Sequence, residues 1–188
     1  YFVQLSSFGK FPNSNQGSEW AELREAQLMA LQLPNTGMAV TTDIGNPENI
    51  HPKNKADVGI RLAAIALAKN YGIDAPYSGP IFEKMLVKAN KAILNFQHVN
   101  GGLVIRDAYG YLKGFEIAGE DKQFHFAQAT IEGDQVIVWS NAVKKPIAVR
   151  YGWTDAPIDA NLFNKAGFPA TPFRTDQWKG LTDNRFFE

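Results

Sequence analysis

The residues whose chemistry is hardest to explain as packing lie in the stretch DIGNPENIHPKNKADVGIRLAAIALAKNYG, residues 43–72. His51 follows a strand-like run and precedes a helical one. Pro52 sets the backbone direction at that junction and favours an extended Ile50–His51. Loops between a strand and a helix collect at the carboxyl edge of an α/β sheet, where open α/β folds bind ligands. An imidazole held there can act as a general base near neutral pH; the alternative is a surface or capping histidine. Glu48, three residues earlier, can accept the second ring N–H and stabilise the imidazolium. Asp43 is a second candidate acid, or a turn-starting residue that binds nearby backbone amides.

The other histidines, His98 in FQHVN and His125 in FHFAQ, fall in strand-like runs and read as packing or surface residues. The three are too far apart in sequence to form a metal-binding signature, and no HExxH occurs. Trp139, Tyr151, Trp153, Phe163, Phe168, Phe173 and Trp178 read as core and domain-interface residues, with a sugar-stacking surface as the alternative.

The elements that must hold these groups change character along the chain. In residues 1–77, the Tyr1–Leu5 run reads as a buried strand and SSFGKFPNSNQGS as a polar loop. Ser18 caps a helix with Trp20, Leu23, Gln27, Leu28 and Leu31 at helical spacing, stopped by Pro34. GMAVTTDI is a second strand. A second helix starts at Pro52, with Val58, Leu62, Ile65 and Leu67 on its buried side, Lys55 and Arg61 on its wet side, and Gly72 at its end. This strand–helix order predicts an α/β unit with a parallel sheet. Residues 78–157 instead carry short strand candidates: AILNFQHV, LKGFEIAG, FHFAQATI, QVIVWS and IAVRYGW. Turn clusters Asn100-Gly101-Gly102, Gly119-Glu120-Asp121 and Glu132-Gly133-Asp134 separate them, which predicts an antiparallel β-sandwich or barrel. Residues 158–188 read as an irregular, aromatic-rich strap over a surface.

The 188 residues carry 19 Lys plus Arg against 19 Asp plus Glu, so no charge excess points to nucleic acid or an anionic membrane. No apolar run is long enough to span a bilayer. The absence of cysteine excludes disulfides and thiolate metal sites within the chain.

The stretch GMAVTTDIGNPENIHPKNKADVGIRLAAIALAKNYG resembles the sialate O-acetylesterase group of SGNH-type hydrolases. The likeness extends to YFVQL, WAELREAQ, GFEIAGEDKQFHFAQATIEGDQVIVWS, PIAVRYGW and NLFNKAGFPATPFRTD, in the same order. It implies that residues 1–77 are the C-terminal part of a flavodoxin-like parallel-sheet esterase domain, followed by the β-rich unit. In that group a Ser nucleophile is paired with a His from a late D-x-x-H block. His51 matches that His, and Glu48 stands where the block has Asp, so either Glu48 or a backbone carbonyl would orient the ring.

No G-D-S, G-x-S-x-G or G-x-N-D motif occurs in the chain. Ser6, Ser7, Ser14 and Ser18 lack a nucleophile-elbow context. The resemblance therefore implies the C-terminal portion of a carbohydrate acetylesterase, carrying the base while an N-terminal portion carries the nucleophile. Its implied partners are an O-acetylated sugar and that N-terminal portion; no metal or organic cofactor is implied, and the implied location is secreted or periplasmic. Acetylated xylan in place of sialic acid, and a non-catalytic carbohydrate-binding module, remain the alternatives.

Overall fold

A computed structural model describes residues 1–11, 14–183 and 185. The final part of the expected strap, residues 184 and 186–188, lies outside them, as do residues 12 and 13 of the polar loop. At the start of the chain, β1 (Phe2–Val3) and β2 (Met38–Ala39) pair in parallel, Phe2 opposite Met38. Helix α1 (Glu19–Met29) connects them. Its Ser18 cap accepts from the Ala21 amide at 3.0 Å, and Glu19 and Glu22 occupy the positive first turn. Among the described residues, the expected parallel sheet is represented by these two short strands.

Helix α2 (Lys55–Lys69) begins three residues after Pro52, because Asn54 supplies the cap by accepting from the Asp57 amide at 3.1 Å. Gly72, with φ +67°, follows its end. In both helices the buried stripe differs from the expected one. Leu23 and Leu67 are exposed, whereas Arg24 and Arg61 are 0% and 5% exposed. Arg61 is therefore not on the wet side of α2.

The reason is the brevity of β1 and β2. Beyond two ladder residues, the chain carries carbonyls that no neighbouring strand receives among the described residues, and a buried carbonyl needs a donor. The Arg24 guanidinium donates to the carbonyls of Leu5 (2.7 Å) and Ser6 (2.9 Å) beyond β1, and to those of Thr154 (2.7 Å) and Asp155 (2.6 Å). Arg61 donates to the Val40 carbonyl beyond β2 and to both Asp43 oxygens at 2.6 Å. A planar group with five donors suits several fixed acceptors. Burial lowers the Arg24 pKa to about 10, opposed by the charge of Asp155.

From residue 81 onward the chain is antiparallel. One sheet has the order β3 (Ile81–Lys88), β4 (Lys91–Gln97), β9 (Gln135–Trp139), β8 (Gln128–Glu132). The second has the order β12 (Phe173–Arg174), β10 (Ala148–Tyr151), β6 (Phe115–Ala118), β7 (Phe124–Phe126). A small pair joins β5 (Leu103–Ile105) to β11 (Leu162–Asn164). Leu94, Val136 and Val138 of the first sheet pack with Phe115, Ile117, Val149 and Tyr151 of the second in one shared core. The expected antiparallel β-rich unit is thus a sandwich. Alternation along each strand puts one side chain in this core and the next outside it.

The outward face of the second sheet carries a row formed by cross-strand partners: Arg174 beside Arg150, Arg150 beside Glu116, and Glu116 beside Phe126. The earlier part of the chain covers most of this row. Arg174 forms a two-pronged pair with Glu25 of α1 at 2.8–2.9 Å. Arg150 pairs with Asp176 and lies over the Phe124 ring, while Glu116 accepts from both the amide and the hydroxyl of Ser14. The C-terminal segment then crosses α1, where the Glu22 carboxylate accepts from the Leu181 and Thr182 amides. Trp178 packs against Phe124 at 5.6 Å between ring centres.

Candidate active site

His51 lies on the loop leaving the carboxyl end of β2, beside the segment leaving β1. The base of this loop is tied down. Gly45 sits against Ser7 so closely that a Cβ there would lie 2.4 Å from the Ser7 nitrogen. The Asn46 amide donates to the Ser7 carbonyl (3.0 Å), and the Gly9 amide donates to the Pro47 carbonyl (2.9 Å). Two Asx turns shape the part carrying the functional candidates. The Asn46 side chain accepts from the Glu48 amide and the Asn49 side chain from the His51 amide, both at 2.9 Å. The NPEN composition thus builds a folded platform at the sheet edge.

His51 and Glu48 are exposed, and no hydrogen bond links them among the described residues. Asp43 is engaged elsewhere: both its oxygens face Arg61, so it braces the start of the loop against α2. This differs from both earlier readings of Asp43, as acid or as amide-binding turn residue. The three hydroxyls of Ser7, Ser14 and Ser18 are also committed. Ser7 donates to the Thr42 carbonyl, Ser14 to Glu116, and Ser18 to Asp155 at 2.6 Å while capping α1.

His98 is half-buried against the Tyr77 ring at 5.4 Å, and burial, together with nearby Lys69, lowers its pKa. His125 is exposed on β7. Among the described residues, no group of three His, Asp or Glu side chains is placed to hold a metal ion, and no helix is long and apolar enough to cross a membrane. Of the aromatic residues singled out in the sequence, Tyr151, Trp153, Phe163 and Phe173 are buried, and Trp139, Phe168 and Trp178 are partly so. The exposed rings among the described residues are others, Tyr1, Phe11, Tyr71, Tyr109, Tyr111 and Phe126. Only the three-dimensional arrangement distinguishes them, since Phe126 reads in sequence as one more apolar strand residue.

No family model matches the chain, and no curated protein does. Among solved structures it is similar to a carbohydrate acetylesterase from Xanthomonas citri. The two are 49% identical, the match covers 94% of this chain and 40% of that one, and the TM-score is 0.88. The chain therefore spans about two-fifths of the length of the enzyme it matches, and at that identity and TM-score it shares this part of its fold.

Proposed function

We propose that the chain is the C-terminal portion of a carbohydrate O-acetylesterase and that His51 is its general base. The observation that carries this reading is the placement of His51 on a braced loop at the carboxyl edge of a parallel strand pair, in a chain 49% identical to a carbohydrate acetylesterase over nearly its whole length.

In this reading a serine from the remainder of the polypeptide attacks the acetyl carbonyl while the His51 imidazole takes its proton. The imidazolium then gives that proton to the departing sugar oxygen, leaving an acetyl-serine. Water, deprotonated by the same imidazole, attacks the acetyl-serine; serine regains a proton and acetate leaves. The engagement of Ser7, Ser14 and Ser18 in structural bonds, and the lack of a nucleophile-elbow motif around Ser6, support a nucleophile from the remainder of the polypeptide. Glu48 is the carboxylate proposed to orient the ring, since Asp43 is held by Arg61. A sialic acid ester is the substrate implied by the family resemblance, acetylated xylan is the alternative, and a secreted or periplasmic location goes with either.

The test uses the complete enzyme and acetate release from an aryl acetate and from O-acetylated sugars. His51→Ala is expected to lower turnover by about 10²–10⁴-fold, the usual worth of a positioned base. Glu48→Gln is expected to cost orders of magnitude, and a loss within a few-fold would leave the ring to a backbone carbonyl. Asp43→Asn should act on stability more than on the pH–rate profile. Full turnover by His51→Ala would remove the proposal.

A further inference from the structure

The outward row of the second sheet ends in an unexplained residue. Arg174, Arg150 and Glu116 are each covered by a partner, but Phe126 at the end of the row is 75% exposed. It forms one wall of an open cleft of about 430 Å³ between β6–β7 and the 152–160 connection. Phe11, 59% exposed, also lines it, and the buried Trp153 contributes to its lining. Such a volume falls in the range of small-molecule sites, and two flat rings of two rotatable bonds each offer contact area at low entropic cost.

The polar lining is as informative. Lys113, Glu116 and Asp159 contribute one cation and two carboxylates, which disfavours an anionic ligand. Lys113 and Asp159 offer donors and acceptors suited to hydroxyl groups, whereas the buried Glu116 oxygens are taken by Ser14. The rim is held in place: Asp107 accepts from Lys113 at 2.5 Å and from the Tyr109 amide at 2.8 Å, fixing a turn on which Tyr109 and Tyr111 stand exposed. The segment bearing Phe11 is also the one that braces the His51 loop. The Lys10 carbonyl accepts from the Ala156 amide at the cleft, and the Gly9 amide donates to Pro47 on the loop.

We infer that this cleft is a binding subsite for an uncharged sugar ring of a glycan chain, separate from the His51 loop and joined to it by residues 7–11. That the ligand is a sugar rests on the carbohydrate-esterase reading. The apolar C–H face of a pyranose would lie on Phe126 and Phe11 while its hydroxyls reach Lys113 and Asp159.

The experiment titrates the full chain with cellohexaose, xylohexaose and mannohexaose, read by tryptophan fluorescence and calorimetry, with sialyllactose as the anionic comparison. Saturable binding of at least one neutral hexasaccharide is expected, at least tenfold tighter than sialyllactose. Phe126→Ala and Phe11→Ala, both at exposed positions, should each weaken it at least tenfold with an unchanged circular dichroism spectrum. No saturable binding of the three neutral sugars, affinities untouched by both substitutions, or tighter binding of sialyllactose would each overturn the inference. Because the sugars carry no acetyl group, failure here leaves the esterase reading standing. Failure of His51→Ala to lower turnover would in turn leave a measured affinity unexplained by catalysis.

Discussion

In the sandwich, Leu94, Val136, Ile117 and Val149 are 0% exposed, and each sheet covers the other. In the first 73 residues, by contrast, Met29, Leu33, Ile60 and Tyr71 are all more than half exposed, while two arginines lie inside. The sandwich coheres through apolar area. The α/β segment coheres through guanidinium groups that satisfy strand-end carbonyls and through its attachment to the sandwich. Two regions of one chain thus rely on different interactions, and they should respond differently to the same kind of substitution.

The largest effect is expected from Arg24→Met. It keeps most of the volume but leaves the Leu5 and Thr154 carbonyls without a donor among the described residues and the Asp155 carbonyl with only the long Phe8 amide contact at 3.4 Å, at about 1–3 kcal/mol for each unmet buried group. A total of about 4 kcal/mol or more in urea unfolding is the expected outcome, and Arg24→Lys should recover little of it, since an ammonium lacks the planar fork. A loss below about 1 kcal/mol would show that the segment holds together by other means.

Next comes Phe115→Ala in the sandwich, expected to cost about 3–5 kcal/mol through the cavity it leaves. The comparison sharpens if hydrogen exchange after this change accelerates first in β6 and β10, and it breaks if the α/β segment loosens first.

Glu116→Gln should act more weakly and with a pH signature. Burial raises the Glu116 pKa, outweighing the Ser14 hydrogen bonds and the Arg150 charge that lower it. The folded state then holds the proton more tightly than the unfolded chain does. This contribution is fully present below the ordinary carboxylate value of about 4.5 and is lost as pH rises through the folded value. Glu116→Gln should therefore gain stability relative to the unsubstituted chain as pH rises from 4 to 7 in paired denaturation curves. A gap that widens toward low pH instead would contradict the assignment.

The smallest effect is expected from Ile60→Lys on the exposed side of α2, within about 0.5 kcal/mol. A loss of several kcal/mol would mean that this side chain has a partner inside the chain.

The strands of the sandwich were legible because period-two alternation and turns such as Glu132-Gly133-Asp134 depend on local sequence. FHFAQATI was legible only in part. It reads as one strand, yet β7 and β8 belong to different sheets, and alternation carries no mark of a change of sheet. The helix stripes were misread at Leu23 and Arg61, and the burial of Arg24 went unsignalled, because a periodic count assigns leucine to the core and arginine to water. The need for a donor arises only when two strand ends converge. Of the candidate site, the position of His51 at a strand–helix junction was readable, as was the chance of a turn in NPEN. The Asp43–Arg61 pair and the cleft beside Phe126 were not, since each depends on residues far apart in the chain.

Arg24 also governs how the two regions can move. Its bonds run to residues on both sides of the junction, so swinging α1 away from the sandwich would strand carbonyls on each side at once. A junction held in this way is a weld, with no soft hinge at that point. The amides of α1 near Ala21 should open with the global unfolding of the chain and not in a separate, faster event. The His51 loop and the aromatic cleft should accordingly keep a fixed bearing to one another short of global unfolding.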